Sequence, residues 1–277
     1  MTPSSITART SLCGIVLHPA GHTRSPHMHN AAFAAMGLDA AYLAFDVAPE
    51  GLGDAVAGAR ALGIRQLAVS IPHKVAIMGH LDEVDETARR IGAVNTVTRI
   101  DGRLVGANTD WVGGVRALER ETRLEGRRCV VLGAGGAARA LVFGLIERGS
   151  EVLVLNRSVD RARALANELG AARAGSLEEL GGLPHDVLVN TTSVGLRSGE
   201  SPVRAADLVP GSVVMDAVYD PEETALLRAA RERGATPLGG KWMLVHQAAE
   251  QLRLWTGREA PIEVLAEAFD RAGQDLG

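Results

Sequence analysis

Val130-Val131-Leu132-Gly133-Ala134-Gly135-Gly136-Ala137-Ala138-Arg139 is an apolar, β-branched run that breaks into glycines and then into a helix-forming stretch, Ala137 to Arg148. Strand, glycine loop and helix in that order deliver a dinucleotide pyrophosphate onto a helix N-terminus. Gly133 suits the tight turn, and Gly135 and Gly136, which follow Ala134, let the backbone approach phosphates with no Cβ in the way. Ala137 then opens the helix, whose first-turn amides face the anion. The next strand, Glu151 to Leu155, ends on Asn156-Arg157-Ser158. A unit that binds NAD usually carries Asp or Glu there for the ribose 2′-hydroxyl. Here Arg157, Arg161 one helical turn on, and the Ser158 hydroxyl offer donors for a phosphate dianion instead. The expected cofactor is therefore NADP rather than NAD.

Composition bounds the class. A chain of 277 residues holds one large or two modest domains, each with a core of its own. Hydrophobic residues make up 46% and charged residues 22%, and no apolar run approaches the ~18 residues of a membrane span. A net charge of −4 argues against a nucleic-acid partner, for which a basic face is expected. Met1 to Thr10 lacks a charged-then-apolar leader pattern. Cys13 and Cys129 both sit in apolar, strand-like runs, which predicts buried reduced thiols rather than a disulfide or a metal pair. No metal site is expected, and the setting expected is cytoplasmic.

The first 110 residues alternate short apolar strands with helices. The reading is a strand over 12–17, a helix over 26–36, a strand over 41–45, a helix over 52–62 and a strand over 66–70. Such alternation predicts an α/β fold with parallel βαβ units. A helix over 74–81 and another over 86–91 follow, and 93–99 and 102–110 flank Asp101-Gly102, a hairpin dipeptide that predicts an antiparallel addition. From Trp111 a helix runs to about Arg120, strands recur at 187–189 and 213–218, and a long helix covers 243–256. The domains predicted are a substrate domain over 1–110 with a mostly parallel sheet, to which 241–277 returns, and a Rossmann-type cofactor domain over 111–240. The site is expected in the crevice between them.

Several separated segments together resemble the shikimate dehydrogenase family. His22-Thr23-Arg24-Ser25-Pro26, with His29-Asn30 after it, is similar to the family's His-Ser-x-Ser-Pro-x-x-His-Asn. Val69-Ser70-Ile71-Pro72-His73-Lys74 resembles its Val-Thr-x-Pro-x-Lys, and Gly92-Ala93-Val94-Asn95-Thr96 and Asn108-Thr109-Asp110 match it. Gly133 to Ala137, Asn156-Arg157-Ser158, Asn190 to Gly195, Asp216 to Tyr219 and Gly240 to Ala248 follow in the family's order. The resemblance spans nearly the whole chain.

The resemblance implies NADP-dependent, reversible oxidation of a secondary alcohol, shikimate to 3-dehydroshikimate, in aromatic amino acid biosynthesis. That chemistry needs a group to take the hydroxyl proton while hydride leaves, and a donor to the carbonyl in reverse. Lys74 and Asp110 are the implied dyad. The carboxylate of the ring substrate falls to the hydroxyls of Thr23 and Ser25, and the ring hydroxyls to Ser70, Lys74, Asn95, Asp110 and Gln247, with the Tyr219 phenol near the carboxylate. Thr192, Ser193 and Ala217 resemble cofactor-side positions, Gly240 lets backbone approach the nicotinamide, and Met243 packs against its ring. Ser25 before Pro26 also reads as a helix N-cap with proline at N1. His22 and His29 read as structural residues rather than bases, and oligomeric state is left at monomer or homodimer.

Three departures fall on the substrate side: Leu17 where the family has glycine, Ala68 where it has asparagine, and Thr23 where it has serine. They keep quinate, aminoshikimate or another hydroxylated ring acid open as substrate. A non-catalytic ligand sensor and a folate-type dehydrogenase on a similar two-domain build are the other readings, against which the Lys74/Asp110 pair and the Thr23/Ser25 hydroxyls argue.

Overall fold

The computed structural model describes residues 6–275. The first half of the leader reading, residues 1–5, lies outside the described residues. The chain divides into two compact units, residues 1–109 with 245–277 and residues 110–244.

The first unit runs β1 (Ser11–Leu17), α1 (Ser25–Met36), β2 (Ala40–Asp46), α2 (Leu52–Ala61), β3 (Gln66–Val69), β4 (Glu83–Val84), α3 (Glu86–Ile91), β5 (Thr96–Ile100) and β6 (Arg103–Ala107). Its sheet has the order β2-β1-β3-β5-β6-β4. β1 pairs in parallel with β2 and β3, and β4 with β6, whereas β5 is antiparallel to both β3 and β6. The hairpin turn between β5 and β6 is Asp101-Gly102, both at positive φ (48° and 81°), the geometry of a type I′ turn, which Asp-Gly adopts at little cost. One correction applies here: 74–81 is not an α-helix. Only a 3-10 stretch forms, Ala76–His80, with an i→i+3 bond from Met78 N–H to the Val75 carbonyl. β-branched Val75 and Ile77 and a glycine at 79 give the α form little support.

The second unit holds α4 (Asp110–Leu118), β7 (Arg128–Leu132), α5 (Gly136–Glu147), β8 (Glu151–Leu155), α6 (Val159–Leu169), β9 (Arg173–Gly175), β10 (Val187–Asn190), β11 (Val213–Asp216), α7 (Ala225–Glu232) and β12 (Thr236–Leu238). All five pairings of its sheet are parallel, in the order β12-β11-β10-β7-β8-β9. Numbered within the unit this is 3-2-1-4-5-6, the doubly wound arrangement whose order reverses between β7 and β10. Val130 and Leu132 face one apolar cluster with Leu188 and Val214, and Cys129 and Val131 face another with Leu141, Val154 and Val189. Both faces of the sheet are therefore covered, as a parallel sheet requires.

α8 (Lys241–Thr256) gives its first turn to the second unit and the rest to the first, and α9 (Ile262–Asp275) closes the chain in the first unit. Gln247 and Gln251, one turn apart on α8, present amides to β5: Gln251 Nε2 donates to Thr96 Oγ1 at 3.0 Å and to the Asn95 carbonyl at 3.3 Å. Gln66 Nε2 on β3 donates to the Gln251 carbonyl at 2.8 Å. α9 is held through Arg24, a buried guanidinium lying 4.2 Å from the Phe269 ring centroid and donating to the Phe269 carbonyl.

Candidate functional site

Topology gathers the polar residues of the first unit at one end of its sheet. β1, β3 and β6 run in the same direction, so the segments that follow them emerge together, and antiparallel β5 starts at that same end. Thr23 and Ser25 follow β1, Ser70 and Lys74 follow β3, Asn95 precedes β5, and Asn108-Thr109 follow β6, with Asp110 next in the chain. The substrate residues expected from sequence thus come from four strand ends of one sheet, apart from Gln247, which α8 brings to Asn95, and Tyr219, which lies in the second unit.

Asn95 is the hub. It is buried, its Oδ1 accepts from the Thr109 N–H at 2.7 Å and the Thr96 hydroxyl at 2.8 Å, and its Nδ2 donates to Thr109 Oγ1 at 3.0 Å and Gln247 Oε1 at 3.3 Å. Both faces of the amide are engaged, which fixes its orientation and that of the chain entering Asp110. The Lys74 carbonyl accepts from the Val94 N–H at 2.8 Å, so the lysine backbone is tied to the residue before Asn95. His73 donates from Nε2 to the Val47 carbonyl at 2.7 Å, and its N–H bonds the Ser70 carbonyl at 2.8 Å across the cis Ile71–Pro72 peptide. Lys74 is half-buried and Asp110 buried.

Thr23 and Ser25 are both buried, and Thr23 Oγ1 accepts from the Ser25 N–H at 3.3 Å. The helix begins one residue earlier than the sequence suggests: Arg24 holds the N-cap position, Ser25 lies in the first turn, and no side chain caps the helix. The N-cap reading of Ser25 is corrected accordingly; the Thr23 hydroxyl, not that of Ser25, serves the local backbone. His29 is stacked on Tyr42 (4.1 Å between centroids, 4° between planes), and burial pushes its pKa down to about 3, which makes it a neutral core ring.

In the second unit the glycine loop follows β7 at the point where the strand order reverses, where doubly wound sheets bind ligands. Gly133 has φ +115°, and a Cβ there would lie 2.7 Å from Thr191 Oγ1, so both conformation and space demand glycine. Gly135 is the N-cap of α5; no side chain caps this helix, and a Cβ at Gly135 would meet no protein atom within 4 Å. Gly136 and Ala137, the first residues of α5, are half-buried, as is Ala134 in the turn. These features suit a pyrophosphate.

β8 ends as the sequence predicts. Asn156 Nδ2 donates to the Ser158 carbonyl at 3.0 Å, ordering the turn into α6. Arg157 and Arg161 are exposed, and among the described residues neither enters an ion pair, whereas Arg163 on the same helix meets Asp160. Two guanidiniums at the end of the second strand fit a 2′-phosphate.

After β10, which lies on the other side of β7 from β8, Thr192 Oγ1 donates to Asn190 Oδ1 at 2.7 Å, and Asn190 Nδ2 donates to Asp216 Oδ1 at 2.9 Å. Asp216, whose carboxyl pKa burial raises, also accepts from Val218 N–H and the Thr224 hydroxyl. This buried chain holds the Thr192-Ser193 turn; sequence reading places Asn190 and Asp216 in motifs without their roles, and misses Thr224, whose signal is its N-cap position before α7. Gly240 is explained by its neighbour: a Cβ there would sit 2.6 Å from the Ala217 carbonyl oxygen. Tyr219 is half-buried. Met243 is packed in the apolar cluster of the second unit with Met215 and Leu238. Among the described residues no group of three metal-ligating side chains occurs, and no helix is long and apolar enough to cross a membrane.

Comparison with known proteins finds family models over three stretches of the chain. Residues 15–97 match the family model of the shikimate dehydrogenase substrate binding domain, 116–196 that of shikimate / quinate 5-dehydrogenase, and 240–268 that of the shikimate 5′-dehydrogenase C-terminal domain. A curated shikimate dehydrogenase (NADP+) of Thermococcus kodakarensis is 49% identical over 252 residues, covering 90% of this chain and 92% of that protein. The enzyme of the same name from Methanothermobacter thermautotrophicus is 44% identical, covering 96% and 98%. A crystal structure of shikimate 5-dehydrogenase from Thermus thermophilus in complex with NADP(H) and shikimate superimposes with a TM-score of 0.89 at 40% identity, covering 95% of this chain and all of that one.

Proposed function

The chain belongs to the shikimate dehydrogenase family, and from that premise we propose that it catalyses the reversible oxidation of shikimate to 3-dehydroshikimate with NADP+. The observation that carries the reading is that the relatives named for this activity match nine-tenths or more of the chain while the family's polar residues emerge together at one end of the first sheet. It is an NADP-dependent oxidoreductase with a small hydroxylated ring acid as substrate.

NADP+, when bound, supplies the hydride acceptor, and the residues that fit it are Gly133, Ala134, Gly135, Gly136 and Ala137 at the pyrophosphate, Asn156, Arg157, Ser158 and Arg161 at the 2′-phosphate, and Thr192, Ser193, Ala217 and Gly240 toward the nicotinamide end. Thr23 and Ser25 hold the substrate carboxylate, with Tyr219 assisting; Ser70, Asn95 and Gln247 hold ring hydroxyls. Lys74 Nζ, in its neutral form, takes the hydroxyl proton as the carbon is oxidised; as an ammonium it returns that proton to the carbonyl oxygen in reduction. Asp110 compensates the lysine's charge and accepts from a neighbouring ring hydroxyl. Asn95, fixed by Thr96, Thr109 and Gln247, gives the substrate a preorganised polar wall, which discriminates against rings that lack a hydroxyl.

The free thiols of Cys13 and Cys129, buried and pushed up to about 12 and about 11, suit a reducing cytoplasmic setting. Replacing Lys74 by Ala tests the acid–base role: kcat falls about 10²-fold or more with KM changed far less. An unchanged kcat contradicts the assignment.

A further inference from the structure

Arg24 stands between the two hydroxyls assigned to the substrate carboxylate, yet its side chain is committed elsewhere. It holds the N-cap position of α1 in the αR conformation (φ −89°, ψ −3°), where an extended backbone is usual. The Thr23 Oγ1 bond from the Ser25 N–H spans it at 3.3 Å, and its own carbonyl accepts from the Met28 N–H at 3.2 Å. The turn at Arg24 therefore sets how Thr23 and Ser25 are presented. Its buried guanidinium lies against α9, with Cζ 4.2 Å from the Phe269 ring centroid and Nη1 donating to the Phe269 carbonyl at 3.4 Å. One turn on, a Cβ at Gly273 would lie 2.8 Å from Arg24 Nη1 and 2.9 Å from Cζ and Nη2. Residues 269 and 273 share one face of α9, and Arg24 occupies the space where a side chain at 273 would begin. Two local costs meet at this contact. Burying a guanidinium carries a desolvation penalty that leucine would avoid, and glycine is a poorer helix former than alanine.

We propose that Arg24 is a positioning residue for recognition of the substrate carboxylate. α9 fixes its guanidinium through Phe269 and Gly273, and the fixed side chain holds the turn that presents Thr23 and Ser25 to one carboxylate. The proposal rests on the reading of those two hydroxyls as the carboxylate donors. Neutral hydroxyls compete with water for an anion, so their affinity depends on being held in place before the ligand arrives. The carboxylate is not the reacting group, and its contacts are the same in ground and transition states. Loosening them raises KM and leaves kcat alone.

Steady-state kinetics of the whole protein with shikimate and NADP+ test the proposal in Arg24→Leu, Gly273→Ala and the double variant. Arg24→Leu is expected to raise KM for shikimate about fivefold or more, with kcat and KM for NADP+ within about twofold of the parent's. Gly273→Ala adds one methyl outside the site. It is expected to raise the same KM by displacing the guanidinium, while its Tm stays at or above the parent's because alanine is the better helix former. In the Arg24→Leu background Gly273→Ala is expected to add nothing, since no guanidinium is left to displace. Should Arg24→Leu fail to fold, the KM of Gly273→Ala decides alone. An unchanged KM for shikimate in Gly273→Ala or in folded Arg24→Leu, a matching loss of kcat or of NADP+ affinity, or additive effects in the double variant each overturn the proposal. A parent that does not turn over shikimate overturns the substrate reading as well, so the two failures are distinguishable.

Discussion

Single side chains at this site matter through what their neighbours leave them free to do. Asn95 has both amide ends committed to Thr96, Thr109 and Gln247, while Arg157 and Arg161 have no ionic partner among the described residues. Removing a hydrogen bond to a charged group costs about 1.5–3 kcal/mol. Arg157→Ala should therefore weaken NADP+ by about tenfold or more and leave NAD+ nearly unchanged; equal weakening of both, in fluorescence titrations, contradicts the 2′-phosphate role. His29 behaves differently. Its pKa is about 3 when folded against 6.5 ordinarily, so the unfolded chain binds the proton first. The stability associated with neutral His29 is complete above about pH 6.5 and is lost as pH falls from there toward 3, by up to about 1.4 kcal/mol per pH unit. A His29→Phe variant should show a shallower fall in Tm between pH 6.5 and 4 than the parent; parallel profiles would rule the residue out. Residue types were legible wherever chemistry restricts the choice, as with the lysine, the carboxylate and the glycines. The partners of Asn95, Asp216 and Arg24 were not, because they come from distant segments whose meeting depends on strand order.

Elements with strong periodicity or forced turns could be read closely. β8 has the bounds its sequence suggests, and the Asp101-Gly102 turn joins antiparallel strands as its type requires. After Pro72 the chain forms a 3-10 stretch rather than an α-helix; apolar spacing alone does not tell a 3-10 turn from an α turn over so few residues. Short strands such as β9 and β12, three residues each, carry too little pattern to announce themselves. α9 follows Pro261 and repeats apolar residues at 265, 266, 269 and 272, a helical spacing obscured by its alanine content. Packing adds constraints that periodicity lacks, and Gly240 is one: the Ala217 carbonyl stands where its Cβ would be. Gly240→Ala should cost about 1–3 kcal/mol through the displaced start of α8, seen as a lower Tm; a Tm equal to the parent's would contradict that packing.

For the molecule as a whole, two sheets of different construction each deliver the proposed site residues at strand ends. The second is wholly parallel and doubly wound, so its ligand position follows from where the order reverses, beside Gly133 and Thr191. The first mixes parallel and antiparallel pairs, yet the direction of β6 returns Asn108 and Thr109 to the end where Ser70 and Lys74 emerge. The glycine loop and strand alternation made the α/β class and the dinucleotide unit readable from sequence, whereas the antiparallel insertion of β5 beside β3 rests on long-range pairing that no local pattern records. The departures at Leu17, Thr23 and Ala68 leave substrate choice as the quantity to measure. All three are buried, with Leu17 ending β1, Ala68 in β3 opposite Thr96 and Thr23 beside Ser25. The most direct measurement is the initial rate of nicotinamide reduction with shikimate, quinate and aminoshikimate, each with NADP+ and with NAD+. The account predicts that shikimate with NADP+ gives the highest kcat/KM of the six combinations; turnover confined to another acid, or preference for NAD+, would contradict it.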